Sequence, residues 1–217
     1  MSKTFISHTF PKLVRTDTPE GRRYLTPEGN SYPSVTTVTG FKNLKHILEW
    51  RKRVGDEEAN KVSSRASKRG TAIHSLCEQY LKTGEASPGI FDQEMFNGFI
   101  PILDQIDYIE AIEQSMYSNS LKVAGTVDLI ACLNGVPSVI DWKTSSKPKK
   151  LENIEHYFVQ ACMYSQMFFE HTEIIIKQLV VAIGVDNHEP QIFIEHASNW
   201  AAKAYNWRRY YREKTGI

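Results

Sequence analysis

The chain has 217 residues, enough for one sizeable domain with a single core or for a core with a small appendage. Hydrophobic residues make up 41% and charged residues 24%, close to the averages of soluble globular proteins, which argues against wholesale disorder. The formal net charge of +1 neither favours nor excludes a nucleic-acid partner, so the distribution of charge carries more information than its sum.

The first part of the chain predicts an extended arm followed by two helices. Residues 1–40 are rich in Thr, Pro and Gly, which favours short strands and turns. Residues 41–54 predict a helix whose apolar residues share one face. These apolar residues are Phe41, Leu44, Ile47 and Leu48. A second helix is predicted from Asp56 to about Leu81, with an interruption near Gly70 left open.

The rest of the chain predicts alternating helices and strands. A third helix is capped by Asp92, and Asn134-Gly135 between two apolar runs is the strongest hairpin signal in the sequence. Strands are predicted at 107–117, 121–133, 136–142, 174–184 and 190–196, and further helices at about 153–170 and from Ser198 onward. This order predicts an α/β fold with a mixed central β-sheet flanked by helices.

Cysteine usage and hydropathy narrow the class of protein. Cys77, Cys132 and Cys162 are far apart and form no CxxC pair, which indicates reduced thiols in an intracellular protein. Three cysteines are too few for an iron–sulfur cluster held by thiolates alone. No uninterrupted apolar stretch approaches the length of a membrane span, so no membrane association is expected.

Two aspartates carry the main functional signal. Asp128 lies in the second predicted strand and Asp141 near the end of the third, and the hairpin turn makes these strands antiparallel neighbours. A turn centred between residues 134 and 135 sets position 128 opposite position 141, with the side chains on one face about 5 Å apart. Two carboxylates at that spacing repel each other unless a cation lies between them. Hard oxygen ligands favour Mg²⁺ or Mn²⁺.

Lys143 lies two residues after Asp141, so strand alternation brings it to the same face. An ammonium group there can position or deprotonate a water, or neutralise a developing phosphate charge. The alternative is that Asp128, Asp141 and Lys143 are ordinary exposed strand residues. Apolar neighbours such as Val127 and Ile140 mark the strands as buried on at least one side, and strand interiors disfavour aspartate, which argues against that alternative.

Ordered motifs around these residues resemble a known nuclease superfamily. Asp128, a spacer of a dozen residues and Asp141-Trp142-Lys143-Thr144 resemble the D…(D/E)xK signature of the PD-(D/E)xK nucleases. Gly70-Thr71-Ala72-Ile73-His74 resembles the GxxxH helix motif of the RecB-like branch, and Gln160-Ala161-Cys162-Met163-Tyr164 resembles its QxxxY motif. The resemblance implies a restriction-endonuclease-like core.

The N-terminal part is similar to a narrower family. Tyr32-Pro33-Ser34-Val35-Thr36-Thr37, followed by Leu48-Glu49-Trp50, resembles the corresponding part of the mitochondrial genome maintenance exonuclease family and its bacteriophage relatives. The likeness runs from about residue 30 to the final aromatic helix. Some relatives of the superfamily carry a four-cysteine cluster. This chain lacks one, so no iron–sulfur cluster is expected.

Carried over to this sequence, the resemblance implies metal ligands and a catalytic lysine. Asp128 and Asp141 would bind Mg²⁺ or Mn²⁺, and the backbone carbonyl of Trp142 would be another ligand. Lys143 would be the catalytic lysine. His74 would approach the metal from its helix.

Two further motif positions and one acidic residue complete the implied site. Gln160 would orient the lysine or the scissile phosphate and Tyr164 would line the same pocket, although a structural hydrogen-bonding pair is an alternative. The family's acidic residue on the strand before the aspartate hairpin falls on Glu113, with Glu110 and Glu78 as alternatives.

Basic clusters before the His74 motif and after the Asp141 strand predict contacts with nucleic-acid phosphates. Hydroxyl groups near both motifs add candidate contacts to the backbone of the strand. The candidate substrate-binding residues are Thr36, Thr37, Arg65, Arg69, Ser145, Ser146, Lys147, Lys149 and Tyr164.

These features predict a divalent-metal-dependent deoxyribonuclease. The resemblance implies a DNA exonuclease acting at ends with single-stranded character, in replication, recombination, repair or DNA degradation. One alternative is a structure-specific endonuclease or junction resolvase of the same superfamily. The alternative of another class is a catalytically inactive, DNA-binding recombination-accessory protein.

Organisation and context are also predicted. Residues 1–55 are expected to form a DNA-contacting arm and helix, and residues 56–217 the nuclease core, within one compact domain. DNA is the expected partner, with association with replication or recombination proteins. Because little precedes Pro33-Ser34, a bacteriophage or bacterial nuclease is expected, in the host cytoplasm for a bacteriophage protein, with mitochondria as the alternative.

Overall fold

A six-stranded mixed β-sheet forms the centre of the protein in a computed structural model, which describes residues 3–217. Its strands lie side by side in the order β1, β5, β6, β7, β8, β9. Their bounds are β1 Thr4–Phe5, β5 Ile106–Ser118, β6 Val123–Leu133, β7 Val136–Ser145, β8 Gln178–Val185 and β9 His188–His196. The β1–β5 and β7–β8 pairs are parallel and the other pairs are antiparallel. The predicted mixed α/β class is confirmed.

A small antiparallel sheet precedes this core. It consists of β2 (Val14–Thr18), β3 (Gly21–Leu25) and β4 (Ser31–Pro33), so the prediction of short strands in the N-terminal arm is confirmed for the described residues. Met1 and Ser2 lie outside them.

The arm ends earlier than predicted, because helix α1 spans Val35–Phe41. Ser34 caps it by accepting a hydrogen bond from the Thr37 backbone N–H at 2.9 Å, which satisfies one of the free N–H groups of the first turn. The single helix predicted over 41–54 is therefore wrong at its start, since α1 ends at Phe41 and helix α2 begins at Leu44.

The remaining helices flank the sheet. Their bounds are α2 Leu44–Val54, α3 Asp56–Thr83, α4 Gln93–Asp104, α5 Glu155–Thr172 and α6 Ser198–Thr215, with a short 3₁₀ turn at Leu151–Asn153. Helix α3 runs through Gly70 without a break, since one glycine costs a long helix only about 1 kcal/mol. None of the helices within residues 3–217 is both long and apolar enough to cross a membrane.

Helix α2 does not bury its apolar face, contrary to the sequence prediction. Leu44, Ile47 and Leu48 are 44%, 45% and 49% exposed, and α2 contributes no buried residue. Amphipathic spacing predicts a helix but not a partner for its apolar side, because spacing carries no information about where neighbouring elements end.

Two hydrophobic cores lie on opposite faces of the central sheet. Helices α5 and α6 pack on one face, where Ile130 and Val139 point, and α3 and α4 pack on the other, where Leu129 and Ile140 point. This alternation is the two-residue period of a β-strand. The helices that carry the GxxxH and QxxxY motifs therefore approach the β6–β7 hairpin from opposite sides.

Candidate active site

The site forms where strands β6 and β7 separate. They pair in the register predicted from the hairpin turn, and their last paired residues on this side are Leu129 and Ile140. Asp128 and Asp141 are the next positions, beyond the hydrogen-bonded ladder. Asp128 Oδ2 accepts a hydrogen bond from the Trp142 backbone N–H at 3.0 Å, so the first carboxylate reaches across the gap.

The two carboxylates are contacted from opposite faces of the sheet. His74 Nδ1 of α3 lies 3.5 Å from Asp128 Oδ2, whereas the Gln160 side-chain amide of α5 donates to Asp141 Oδ1 at 2.7 Å. The expectation that strand alternation puts both side chains on one face is therefore corrected.

An irregularity in β6 is the physical reason for this correction. Val127 and Leu129 are two residues apart and should share a face, yet they belong to the cores on opposite faces. Alternation is thus interrupted at Asp128. On the neighbouring strand, Glu113 lies opposite Asp128 and has a left-handed φ of 45°, a conformation that is uncommon for glutamate and typical of local backbone strain.

Three potential ligands surround the gap on the α3 side. His74, Glu113 and Asp128 each offer one ligand atom, and these atoms lie within 4.8 Å of one another. The other acids considered from the sequence have different partners. Glu110 pairs with His8 at 2.5 Å, and Glu78 pairs with Lys82 on its own helix. Of the three candidates, Glu113 is the one that joins this group.

A buried ion pair forms the α5 side of the site. Lys143 Nζ lies 2.6 Å from Asp141 Oδ2, and Asp141 is only 2% exposed. Lys143 Nζ also donates to the Trp142 carbonyl at 3.3 Å, and His74 Nε2 lies 2.7 Å from the same oxygen. The Trp142 carbonyl thus connects the two halves of the site.

These charges shift the pKa values of the site in opposite directions. Burial, helped by the Asp128 charge and opposed by Lys143, raises the pKa of Asp141 above its usual range. Burial also acts on Asp128, but Lys143 and His74 outweigh it and lower the pKa of that carboxyl. Two carboxylates that share one cation thus have different proton affinities.

Three further groups have raised pKa values. Burial opposes the charged form of Lys143, but Asp141 and Asp128 outweigh it and raise the lysine pKa, so Lys143 is an ammonium at neutral pH. Burial likewise opposes charge on His74, and the hydrogen bond and charge of Asp128 raise its pKa. Partial desolvation, followed by the Asp128 charge, raises the pKa of Glu113 to about 7.

The donor set fits a divalent cation. Asp141 Oδ2 is buried, and although it lies close to Lys143 Nζ, it makes no hydrogen bond of favourable direction. Carboxylate and carbonyl oxygens are the ligands that Mg²⁺ and Mn²⁺ prefer. Asp128, Asp141, Glu113 and the Trp142 carbonyl offer such oxygens around one gap. The identity of the ion stays a prediction.

Several predicted substrate-binding residues have partners within the protein. Arg69 pairs with Asp186, with Nη1 2.7 Å from Oδ2, and the Ser145 hydroxyl donates to the Lys147 carbonyl at 2.7 Å. The backbone N–H of Lys149 donates to a glutamine side chain of β9. These contacts order the loops around the site, so the predicted role of these side chains in substrate binding stays a prediction.

The other predicted contacts divide into exposed and buried residues. Thr36, Arg65, Ser146 and Lys147 are exposed, whereas the Thr37 hydroxyl accepts a hydrogen bond from the Arg22 backbone N–H at 3.1 Å. Tyr164 is 2% exposed and packs against Gly125, where an added Cβ would lie 2.8 Å from the tyrosine hydroxyl oxygen. Tyr164 therefore packs between α5 and β6 and supports the site from the α5 side of the sheet. No hydrogen bond joins it to Gln160 among the described contacts, so the alternative of a structural Gln–Tyr pair is not observed.

Two residues beside Lys143 were not predicted from the sequence as part of the site. The Tyr157 ring centroid lies 5.0 Å from Lys143 Nζ, and the His156 ring lies 4.0 Å from the Tyr157 ring. Burial, followed by the charge of Lys143, lowers the pKa of His156 to about 4. Because Tyr157 precedes Gln160 by three residues, helical spacing from the QxxxY motif was the signal that would have indicated it.

Comparisons with known proteins found two curated exonucleases that are similar to this chain. The chain is 32% identical over 134 residues to mitochondrial genome maintenance exonuclease 1 of Mus musculus, which covers 56% of this chain and 39% of the mouse protein. It is 27% identical over 172 residues to the Homo sapiens protein of the same name, which covers 74% of this chain and 45% of the human protein. The similarity supports a PD-(D/E)xK-like nuclease.

The extent of these matches is limited. The chain spans less than half the length of the two curated relatives, and no family model matches it. Among solved structures, a putative exonuclease from Eubacterium rectale aligns with a TM-score of 0.45 and 16% identity, covering 70% of this chain and 68% of that one. The protein SSO0001 aligns with a TM-score of 0.40 and 15% identity, covering 78% and 73%. The RecB-like branch and the bacteriophage relatives stay predictions.

Proposed function

We propose that the protein is a divalent-metal-dependent DNA exonuclease that hydrolyses phosphodiester bonds at ends with single-stranded character. The observation that carries the proposal is the meeting of Asp128, Asp141 and Lys143 at one gap in the sheet, with His74 and Glu113 beside them. Similarity to two curated exonucleases supports it independently of that geometry.

The proposed chemistry divides between a cation and the protein. Asp128, Asp141, Glu113 and the Trp142 carbonyl would hold a divalent cation, with His74 beside them, and the bound cation would supply Lewis-acid stabilisation of negative charge on the phosphate. The Lys143 ammonium donates a hydrogen bond to a phosphate oxygen and neutralises charge that develops there. Since its carboxylate neighbours raise the lysine pKa, charge neutralisation is favoured over deprotonation of a water.

Gln160 acts through Asp141 in this mechanism. Its amide nitrogen lies 2.7 Å from Asp141 Oδ1, so it orients the carboxylate rather than the lysine or the phosphate, the two roles suggested by the resemblance. A buried carboxylate held by an amide on one oxygen presents its other oxygen in a fixed direction.

The test is cleavage of an end-labelled oligonucleotide by Lys143→Ala, compared with Lys177→Ala. Lys177 is exposed and precedes β8 at the end away from the site, where Gln178 pairs with Ser138, so its variant controls for loss of one positive charge. We expect Lys143→Ala to lose cleavage, Lys177→Ala to keep it, and EDTA to abolish it in both the control and the wild type. Cleavage by Lys143→Ala at the wild-type rate would refute the assignment.

Two further measurements separate the alternatives. A circular single-stranded substrate resists an exonuclease and is cut by a structure-specific endonuclease. Calorimetric titration with Mn²⁺ tests the inactive accessory protein, because a domain without the chemistry would bind no ion at this site. Asp128→Asn provides the matched control for that titration.

The biological setting belongs to the same proposal. The two curated relatives are mitochondrial by name, which favours mitochondria over the host cytoplasm of a bacteriophage protein. Roles in replication, recombination or repair, and contacts with proteins of those processes, are proposed from the exonuclease activity. The division into a DNA-contacting segment (1–55) and a nuclease core (56–217) is proposed with them.

A further inference from the structure

A small basic pocket lies between helix α6 and the turn that joins β5 to β6. Its volume is about 120 Å³, large enough for a single phosphate group. Among the described residues, no aspartate or glutamate lines it. The polar lining consists of Ser120, Lys122, Tyr205, Arg208, Arg209 and Arg212. Four cationic side chains from two separate elements therefore face one cavity.

Arg208 fixes the geometry of this pocket. It is 93% buried, since 7% of its surface is exposed, and Nε donates to the Leu121 carbonyl at 2.9 Å while Nη2 donates to the Lys122 carbonyl at 3.1 Å. Nη1 donates to the Ile217 backbone oxygen at 2.8 Å. The guanidinium therefore clamps the turn that carries Lys122, whose φ of 52° is left-handed.

The positive charge of the pocket is only partly balanced. Arg209 pairs with Glu213 at 3.7 Å, whereas Lys122, Arg208 and Arg212 take part in none of the ion pairs found in residues 3–217. Burial, followed by the charge of Arg212, lowers the pKa of Arg208. Positive charges that are held close together repel each other, and a bound anion stabilises the arrangement by neutralising them.

The helix macrodipole explains only part of this arrangement. Basic residues in the last turn of α6, such as Arg212 and Lys214, stabilise a helix C-terminus without any ligand. Lys122 belongs to a different element and gains nothing from that dipole, yet the buried arginine holds its turn beside the same cavity. The pocket therefore requires an explanation beyond helix stability.

We propose that this pocket binds a phosphate group, and that its source is a backbone phosphate of a nucleic-acid strand. The second part rests on the proposed nuclease function, whereas phosphate binding does not. Lys122 directly precedes β6 and lies six residues before Asp128, a separation of about 20 Å at the usual rise of a strand. That distance corresponds to about six nucleotides of one B-form strand, so a strand engaged at the active site can also reach the pocket.

The test measures binding in EDTA, where no hydrolysis occurs. The variants are Arg212→Gln and Lys122→Asn, because asparagine tolerates the left-handed conformation. Lys214→Gln is the matched control, since it removes one positive charge from α6 but does not line the pocket. The probes are inorganic phosphate and a 20-nucleotide single strand without terminal phosphates, with affinity measured by calorimetry and by fluorescence anisotropy at several salt concentrations.

For the oligonucleotide, we expect each pocket variant to bind at least threefold more weakly than the control. The slope of log affinity against log salt should become shallower by about 0.7 for one lost phosphate contact. If the pocket variants lose only inorganic phosphate, the nucleic-acid source is refuted and phosphate binding is retained. If both variants bind both probes like the Lys214→Gln control, the proposal is overturned. Failure of the cleavage test with Lys143→Ala would refute the proposed function separately, because these binding measurements need no catalysis.

Discussion

Replacement of Gln160 by leucine tests whether a buried hydrogen bond orients the metal-binding carboxylate. The Gln160 amide nitrogen donates to Asp141 Oδ1 at 2.7 Å, and both residues are nearly inaccessible, at 6% and 2% exposure. Leucine is similar in volume but cannot donate. Asp141 Oδ1 would then be buried without a partner, while Oδ2 would keep its contact with Lys143 at 2.6 Å.

The expected magnitude follows from that contact. A hydrogen bond to a charged group contributes about 1.5–3 kcal/mol to stability. The protein loses this whole contribution when the acceptor stays buried without a new partner. Without its donor the carboxylate form of Asp141 becomes less stable, which raises a pKa that burial has already raised. Metal affinity should fall by about 10- to 100-fold, the usual effect of removing a group that orients a ligand, which is equivalent to roughly 1.4–2.7 kcal/mol.

The assay is calorimetric titration with Mn²⁺ at pH 8, combined with urea unfolding of the metal-free protein. Gln166→Leu is the matched control, because Gln166 lies on the same helix but its amide bonds Glu170 at the surface. We expect Gln160→Leu to lose both metal affinity and stability, and Gln166→Leu to change either by less than about 0.5 kcal/mol. The reasoning is refuted if Gln160→Leu stays folded and binds Mn²⁺ as tightly as the control.

Three other perturbations have defined outcomes. Tyr157→Leu should lower the cleavage rate roughly 2- to 30-fold by removing the ring beside Lys143, whereas Tyr157→Phe should retain it; equal rates for both variants would exclude the cation–π contact. Metal affinity should fall about fivefold between pH 7 and pH 6 because Glu113, with a pKa raised to about 7, must lose its proton to bind, and Glu113→Gln should weaken this dependence. Gly125→Ala should destabilise the fold by about 1–3 kcal/mol in urea unfolding, because the added methyl meets Tyr164, and Tyr164→Phe in the same chain should recover part of the loss.

The central hairpin was readable from the sequence because its turn chemistry is specific. Asn134 and Gly135 have positive φ values of 51° and 78°, as a two-residue turn of this class requires. The turn sets the register, and the structure has the predicted pairing up to Leu129 and Ile140. Order and type of the main elements followed from periodicity, which is a strong signal in long segments.

The packing of the N-terminal helices was not readable. The apolar residues of α2 fit a helical stripe, but their exposure depends on where α3 and the sheet lie. Likewise, the pairing of the Arg69 guanidinium with Asp186, 117 residues away in the chain, was not readable from the sequence. Residue type and local spacing cannot reveal a contact between distant segments.

The interruption of β6 at Asp128 connects the unpredictable part of the fold to its chemistry. In a regular strand, Asp128 would share one face with Asp141. Both carboxylates would then face the helices on that side of the sheet, and the helices on the other side could contact neither of them. Because alternation breaks there, α3 brings His74 to one carboxylate while α5 brings Gln160 to the other. The two aspartates consequently have different partners, and their pKa values move in opposite directions. Where two strands separate, helices on both faces of the sheet can therefore contribute groups around one cation. A single face of a regular sheet cannot provide that set of ligands.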